Sequence, residues 1–219
     1  RHGMTTGELA LFFNSEFGIG CDLTVVPMER WRRDCWFDQT GLPWVLPSPN
    51  LPTIESAVVY PGSVLVEGTC LSEGRGTTRP FELIGAPFIH SRTYAARLNA
   101  LKLPGVLFRA AYFQPTFQKW AGAMCGGVQI HVLDRAVFEP YLTGIAVLSV
   151  AREMYPESFK WRNPPYEYEQ EKLPVEILCG GRFIPDCIGR GVPPAQIRES
   201  WQPDVDAFMR RRTPYLLYE

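Results

Sequence analysis

A chain of 219 residues that is 46% hydrophobic and 21% charged has ordinary globular composition, enough for one substantial domain or two small ones. A formal net charge of -1 leaves no electrostatic basis for nucleic acid or an anionic membrane as partner, while an uncharged polar substrate such as a sugar is compatible with it. Six cysteines without a C-x-x-C pair and three histidines without H-E-x-x-H give no metal or redox motif, so no cofactor is expected, and the thiols are expected to be free and mostly buried.

The first element is a helix over Met4 to Phe17, with Leu9, Phe12, Phe13 and Phe17 on one face, Thr5 or Thr6 as N-cap and Gly18 as stop. Thr5 and Glu8 fit a capping box. The run DLTVVPM that follows reads as a short strand ended by Pro27. From Trp31 to Trp44, three tryptophans with arginines and aspartates suit either a sugar-holding aromatic wall or a satellite hydrophobic cluster, and composition alone favours the cluster. The proline-stiffened PSPNLPT lets Asn50 face a cleft, and Thr53 caps a short helix through Ala57 that stops before Pro61.

GSVLV (Gly62 to Val66) reads as a buried strand that ends in EGTCLSEGRGTTRPFE, Glu67 to Glu82. This glycine-rich segment is too polar to be core. A loop at the carboxyl end of a strand in an α/β sheet is the usual place for ligand chemistry. Glu67, Glu73 and Glu82 offer carboxylates for acid/base work, and Arg75 between Gly74 and Gly76 can present a fork of donors, with Thr77 among the loop hydroxyls. A salt-bridged surface turn is the plainer alternative.

Pro87 to Leu103 contains a helix, with Ser91 or Thr93 near its start; Leu103 to Tyr112 reads as a strand; and Gly126 to Asp134 reads as a strand whose polar face carries Gln129 and His131. Between these strands, FQPTFQKWAG is a second candidate loop, in which Thr116 and Lys119 can meet substrate oxygens while Tyr112 stacks or donates. Phe138 to Tyr155 is a long helix closed by Pro156; its apolar core from Tyr141 is interrupted by Arg152 and Glu153 and is shorter than the ~20 residues of a membrane span. An ordered aromatic and proline-rich loop, short helical turns within Leu173 to Gly191, a helix from Pro194 to Arg212 and a terminal strand in TPYLLY complete the chain. Elements of both kinds in alternation predict an α/β fold with a mixed sheet.

PSPN, YPGSVLVEGTCLSEGRGTTRPFELIGAP, YFQPTFQKWAG and CGGVQIHV, in that order, with RHGMTTGELA at the first residue and RRTPYLLY near the last, resemble the NamZ-type exo-β-N-acetylmuramidases, a bacterial family long labelled a domain of unknown function. The resemblance implies that residues 1–60 are the end of a Rossmann-like α/β domain, that residues 61–219 form a second α/β domain, and that the active site lies in a cleft between domains. It implies release of N-acetylmuramic acid from the non-reducing end of peptidoglycan fragments, in the periplasm or outside the cell. Such chemistry needs an acid and a second group that attacks or activates water. Glu73 is the expected catalytic residue, with Asn50, Arg75 and Tyr112 facing the sugar, and the resemblance adds His2, which by residue type is a capping side chain. The glutamate favoured for catalysis in that family lies in a Gly-Pro-Glu-His-Gly motif that this sequence lacks, which implies a fragment whose catalytic partner is a missing N-terminal domain in cis. The competing reading is a non-catalytic carbohydrate-binding module for muropeptides. A serine hydrolase is set aside for want of a G-x-S-x-G elbow.

Overall fold

The computed structural model describes residues 2–219. The chain forms two compact units, one of residues up to 44 together with 199–219, the other of residues 45–198.

In the smaller unit, α1 (Thr6–Glu16) starts where its capping box predicts: Thr5 Oγ1 accepts from Glu8 N–H at 3.3 Å and the Glu8 carboxylate accepts from Thr5 N–H at 2.7 Å. The buried ring of Phe12 meets Phe208 and Tyr215 edge to face at 5.8 and 5.2 Å. Glu8 is fully buried and also takes the Arg33 guanidinium at 2.5 Å and Leu217 N–H at 2.7 Å. Two expected strands are absent here. DLTVVPM has no ladder partner: Val26 is 86% exposed and Met28 N–H donates to the Tyr218 hydroxyl. TPYLLY begins as a 3₁₀ turn (Thr213–Tyr215) because Pro214 has no N–H to give a ladder, and the backbone beyond it is satisfied by the Glu8 and Arg33 side chains. Of the three tryptophans, Trp31 packs on Tyr218 and Trp44 on Phe37, as a satellite cluster would.

Burial pushes the Glu8 carboxyl up, but the Arg33 pair and the two backbone donors outweigh it and bring its pKa down from 4.5 to about 2. Because the folded value lies below the unfolded one, the stabilisation is complete above pH 4.5 and is lost as pH falls towards about 2. It amounts to roughly 3 kcal/mol. Glu8→Gln is expected to lower stability at pH 7 and to flatten the acid limb in that window, read from denaturation midpoints against pH. Parallel curves for the two proteins would contradict it.

In the larger unit, α2 (Ile54–Ser63) is capped by Thr53, whose Oγ1 accepts from Ser56 N–H at 3.2 Å, but it does not stop before Pro61. It runs through the proline and tightens into a 3₁₀ turn, Val64–Gly68, so GSVLV is helical and not a strand. The reason is the period: Val58, Val59, Gly62, Leu65 and Val66 are buried at helical spacing. The sheet holds β1 (Leu83–Ala86), β2 (Val106–Phe113) and β3 (Cys125–Val132) in the order β1-β3-β2, with Ile84 opposite Val128 and Phe108 opposite Ile130. Both pairings are antiparallel, which corrects the mixed sheet: β2 and β3 are joined by an eleven-residue excursion, 114–124, with no crossover helix that would make them parallel.

Next come α3 (Ser91–Asn99), capped by His90 and not by a hydroxyl, and α4 (Pro140–Met154), which is buried along most of its length. The Tyr94 hydroxyl reaches into that core and donates to Val147 O at 2.8 Å. Gly62 of α2 and Gly144 of α4 lie in backbone contact: a Cβ on Gly62 would sit 1.7 Å from Pro140 O. Short helices α5 (Pro174–Cys179) and α6 (Phe183–Gly189) follow, then α7 (Pro194–Arg212), whose first turn belongs to this unit. No helix among the described residues is long and apolar enough to cross a membrane. All six cysteines are free, but only Cys125 and Cys187 are fully buried.

Candidate functional site

Most of the Glu67–Glu82 segment is interior, contrary to the expectation that its polarity keeps it out of the core, and only Thr78 and Arg79 are exposed. Glu67, Thr69, Leu71, Ser72, Glu73 and Glu82 are all buried. Polar residues can be buried when each finds a partner, and this segment is pinned on both sides. Thr69 bridges to Trp161, Cys70 N–H donates to Lys160 O at 2.9 Å, and Ser72 exchanges both backbone bonds with Gly85 of β1. Gly68 packs against the start of α5, where a Cβ would lie 2.8 Å from the Val175 backbone. Gly76, at φ +80°, lets its carbonyl receive Thr116 N–H at 3.0 Å and Thr116 Oγ1 at 2.9 Å.

Four charged groups interlock there. Arg75 Nη2 donates to Glu67 Oε1 at 2.6 Å, and its Nε lies 3.3 Å from Glu73 Oε1 without hydrogen-bond alignment. The guanidinium is held over the Phe81 ring, 5.4 Å from its centroid. Glu67 Oε2 accepts from the Tyr166 hydroxyl at 2.8 Å. From the second loop, Lys119 Nζ reaches Glu73 Oε2 at 2.9 Å and the carbonyls of Val66, Leu71 and Glu67 at 3.0, 3.0 and 3.3 Å. Burial pulls the Lys119 pKa below its ordinary value and nearby Arg162 adds to this, while Glu73 and Glu67 oppose it. Burial first, and then the bond to Glu67, push the Tyr166 phenol up, so it stays a donor.

These groups face a cavity of about 730 Å³, within the range of small-molecule sites. One wall is Glu67, Thr69, Cys70, Glu73 and Arg75; another is Gln118, Lys119 and Trp120; a third is Arg162, Tyr166 and Glu167. Trp120 Nε1 donates to Cys70 O at 2.6 Å and so fixes the ring at the rim. Among the described residues, six non-glycines have positive φ. Three of them, Gln118, Trp120 and Glu167, line the cavity, and a fourth, Phe81, carries Arg75. Strained backbone concentrated at a cavity is a mark of a positioned site.

Of the residues singled out in the sequence, Glu67, Glu73, Arg75 and Lys119 come together on these walls. The others lie elsewhere. Thr77 and Thr116 brace the glycine loop through the carbonyls of Gly74 and Gly76. Glu82 is buried beneath it, with Ser56 Oγ at 3.3 Å and Arg79 at 3.5 Å. Gln129 and His131 do share a face of β3, where Arg109 of β2 bonds to them at 2.7 and 3.4 Å, away from the cavity. Tyr112 is 62% exposed on β2 opposite Gly126, and half-buried Asn50 donates its N–H to Ser48 Oγ. His2 belongs to the smaller unit, where its Nδ1 accepts from Met4 N–H at 3.2 Å, the capping role that its residue type suggests. The third wall carries no motif in the sequence: Arg162, Tyr166 and Glu167 lie in the loop between α4 and α5, whose density of rings and charges is its one sequence signal.

The fold and site define an α/β protein in which a small antiparallel sheet and its helices hold a polar, charge-lined cavity. The chain belongs to the NamZ exo-β-N-acetylmuramidase family: residues 58–218 match the family described as "Exo-beta-N-acetylmuramidase NamZ, C-terminal" and residues 1–55 the corresponding N-terminal family. It is 49% identical over 218 residues to the "Peptidoglycan beta-N-acetylmuramidase NamZ" of Bacillus subtilis, covering 100% of this chain and 51% of that protein. Two crystal structures of DUF1343 family proteins from Bacteroides fragilis are similar to it, with TM-scores of 0.86 and 0.73 at 30% and 27% identity, each over 99% of this chain and 56% of the other. The chain thus spans about half the length of these relatives.

Proposed function

We propose that the protein is an exo-β-N-acetylmuramidase and that this cavity supplies part of its saccharide site. The observation that carries the reading is Glu67: a carboxylate on the wall of a sugar-sized cavity, fixed at one oxygen by Arg75 and at the other by Tyr166. A carboxylate so oriented can face the positive charge that develops at the anomeric carbon, or receive a proton from attacking water. Glu73 fits a different task. Only 3% exposed and gripped by Lys119 with Arg75 alongside, it balances buried cations and holds Arg75 in place. The role first expected of Glu73 is therefore assigned to Glu67. The chain covers 51% of the Bacillus subtilis relative, which supports placing the partner acid in residues outside this sequence, and the match of residues 1–55 to the N-terminal family supports reading that stretch as the end of a Rossmann-like domain. The peptidoglycan named for the Bacillus subtilis relative supports a site of action outside the cytoplasm.

The test is turnover of a chromogenic β-N-acetylmuramide by the full-length protein. Release of the chromophore together with free N-acetylmuramic acid is expected. The alternative, a muropeptide-binding module, draws on the full engagement of both Glu67 oxygens by side chains of the protein itself. Saturable binding of the saccharide without hydrolysis would select it.

A further inference from the structure

The cavity carries three cations, and two of them are already engaged. Arg75 lies between Glu67 and Glu73, and Lys119 is held by Glu73 and three backbone carbonyls. Arg162 is different. Its backbone is anchored, with N–H donating to Gly68 O at 2.9 Å, and its guanidinium lies over the Tyr166 ring at 5.7 Å, yet it makes no ion pair among the described residues. It lines the cavity together with Lys119, and its charge contributes to holding that ammonium's pKa down. Arg79, another arginine of the glycine loop, is turned to Glu82 and does not line the cavity. The ring beneath Arg162 leaves its edge N–H groups free for a planar anion.

We infer that Arg162 binds the lactyl carboxylate that distinguishes N-acetylmuramic acid from N-acetylglucosamine, and so sets the specificity of the site. This rests on the muramidase reading and adds a residue that reads the substrate's one negative charge. A guanidinium stacked on a tyrosine and held by its own main chain loses little freedom on pairing, so the contact favours the acid over an uncharged sugar. Because the lactyl group is remote from the bond that breaks, the contact is made equally in ground and transition states and acts mainly on KM.

The experiment crosses two changes in the full-length protein: Arg162→Gln, and a chromogenic β-N-acetylmuramide whose lactyl carboxylate is converted to the methylamide. Wild type is expected to prefer the acid by about 10- to 100-fold in kcat/KM. Arg162→Gln is expected to lose that preference through KM while its rate on the amide stays within about threefold of wild type, with Arg162→Lys retaining part of the preference. Equal losses on both substrates, or an unchanged preference for the acid, would overturn the assignment and leave the muramidase reading standing. A folded wild type inert towards the acid would remove the muramidase reading itself and this inference with it. Thermal melts of each variant separate these results from misfolding.

Discussion

Glu67→Gln in the full-length protein is expected to lower kcat/KM towards a β-N-acetylmuramide by about a thousandfold, roughly 4 kcal/mol of transition-state stabilisation. The substitution keeps the size of the side chain and removes its charge. It leaves Arg75 without its 2.6 Å partner and the Tyr166 hydroxyl facing an amide in place of a carboxylate. If this carboxylate faces the oxocarbenium-like centre or the attacking water, the loss falls on kcat and kcat/KM together, because the interaction is made in the transition state. Glu73→Gln discriminates between the two glutamates. With Lys119 and Arg75 as its neighbours it is expected to lower kcat/KM by less than about tenfold and to act chiefly on stability. Steady-state kinetics of the two variants beside their melting curves decide. A Glu67→Gln protein within about threefold of wild type, or a Glu73→Gln protein that melts normally but is inert, would reverse the assignment.

Lys119→Met is expected to be the most destabilising single change at the site. The ammonium closes the glycine loop by serving three backbone carbonyls and one carboxylate, and Glu73 is nine-tenths or more buried beside it. Removing Lys119 takes away the shorter of two cationic contacts to Glu73 and leaves Arg75 Nε at 3.3 Å as the other, so the cost falls near the low end of the range for a broken buried pair, about 3 kcal/mol. In a protein of this size that lowers Tm by about 6–12 °C. The cause can be isolated. In Lys119→Met/Glu73→Gln the stranded charge is gone, so about half of the lost Tm is expected to return even though the carbonyls remain unpaired. A double variant no more stable than the single one would show that the carbonyl bonds, and not the carboxylate, dominate.

How much of this was legible beforehand differs from element to element, for physical reasons. The capping box of α1, the helices α3, α4 and α7 and the strands β2 and β3 were readable because their signals are local: a cap three residues from its partner, or an apolar period of 3.6 or 2. GSVLV misled because a short β-branched run has no period of its own; the helical spacing becomes visible only when Val58 and Val59 are counted with it. DLTVVPM and TPYLLY misled because a strand exists only if a neighbour supplies a ladder, and here side chains satisfy the backbone instead.

For the site, residue type and glycine placement pointed to Glu67, Glu73 and Arg75, and the second loop to Lys119. The sequence by itself determined which groups were available: three carboxylates and two arginines on a glycine hinge, and a family likeness running the length of the chain. Only the tertiary structure decided which of them meet. Glu67 and Tyr166 are 99 residues apart in the chain, and Lys119 lies 46 beyond Glu73. Such pairings depend on how β1, the 3₁₀ turn and the 157–173 loop pack together, and no local pattern encodes a contact whose two halves are set by separate elements.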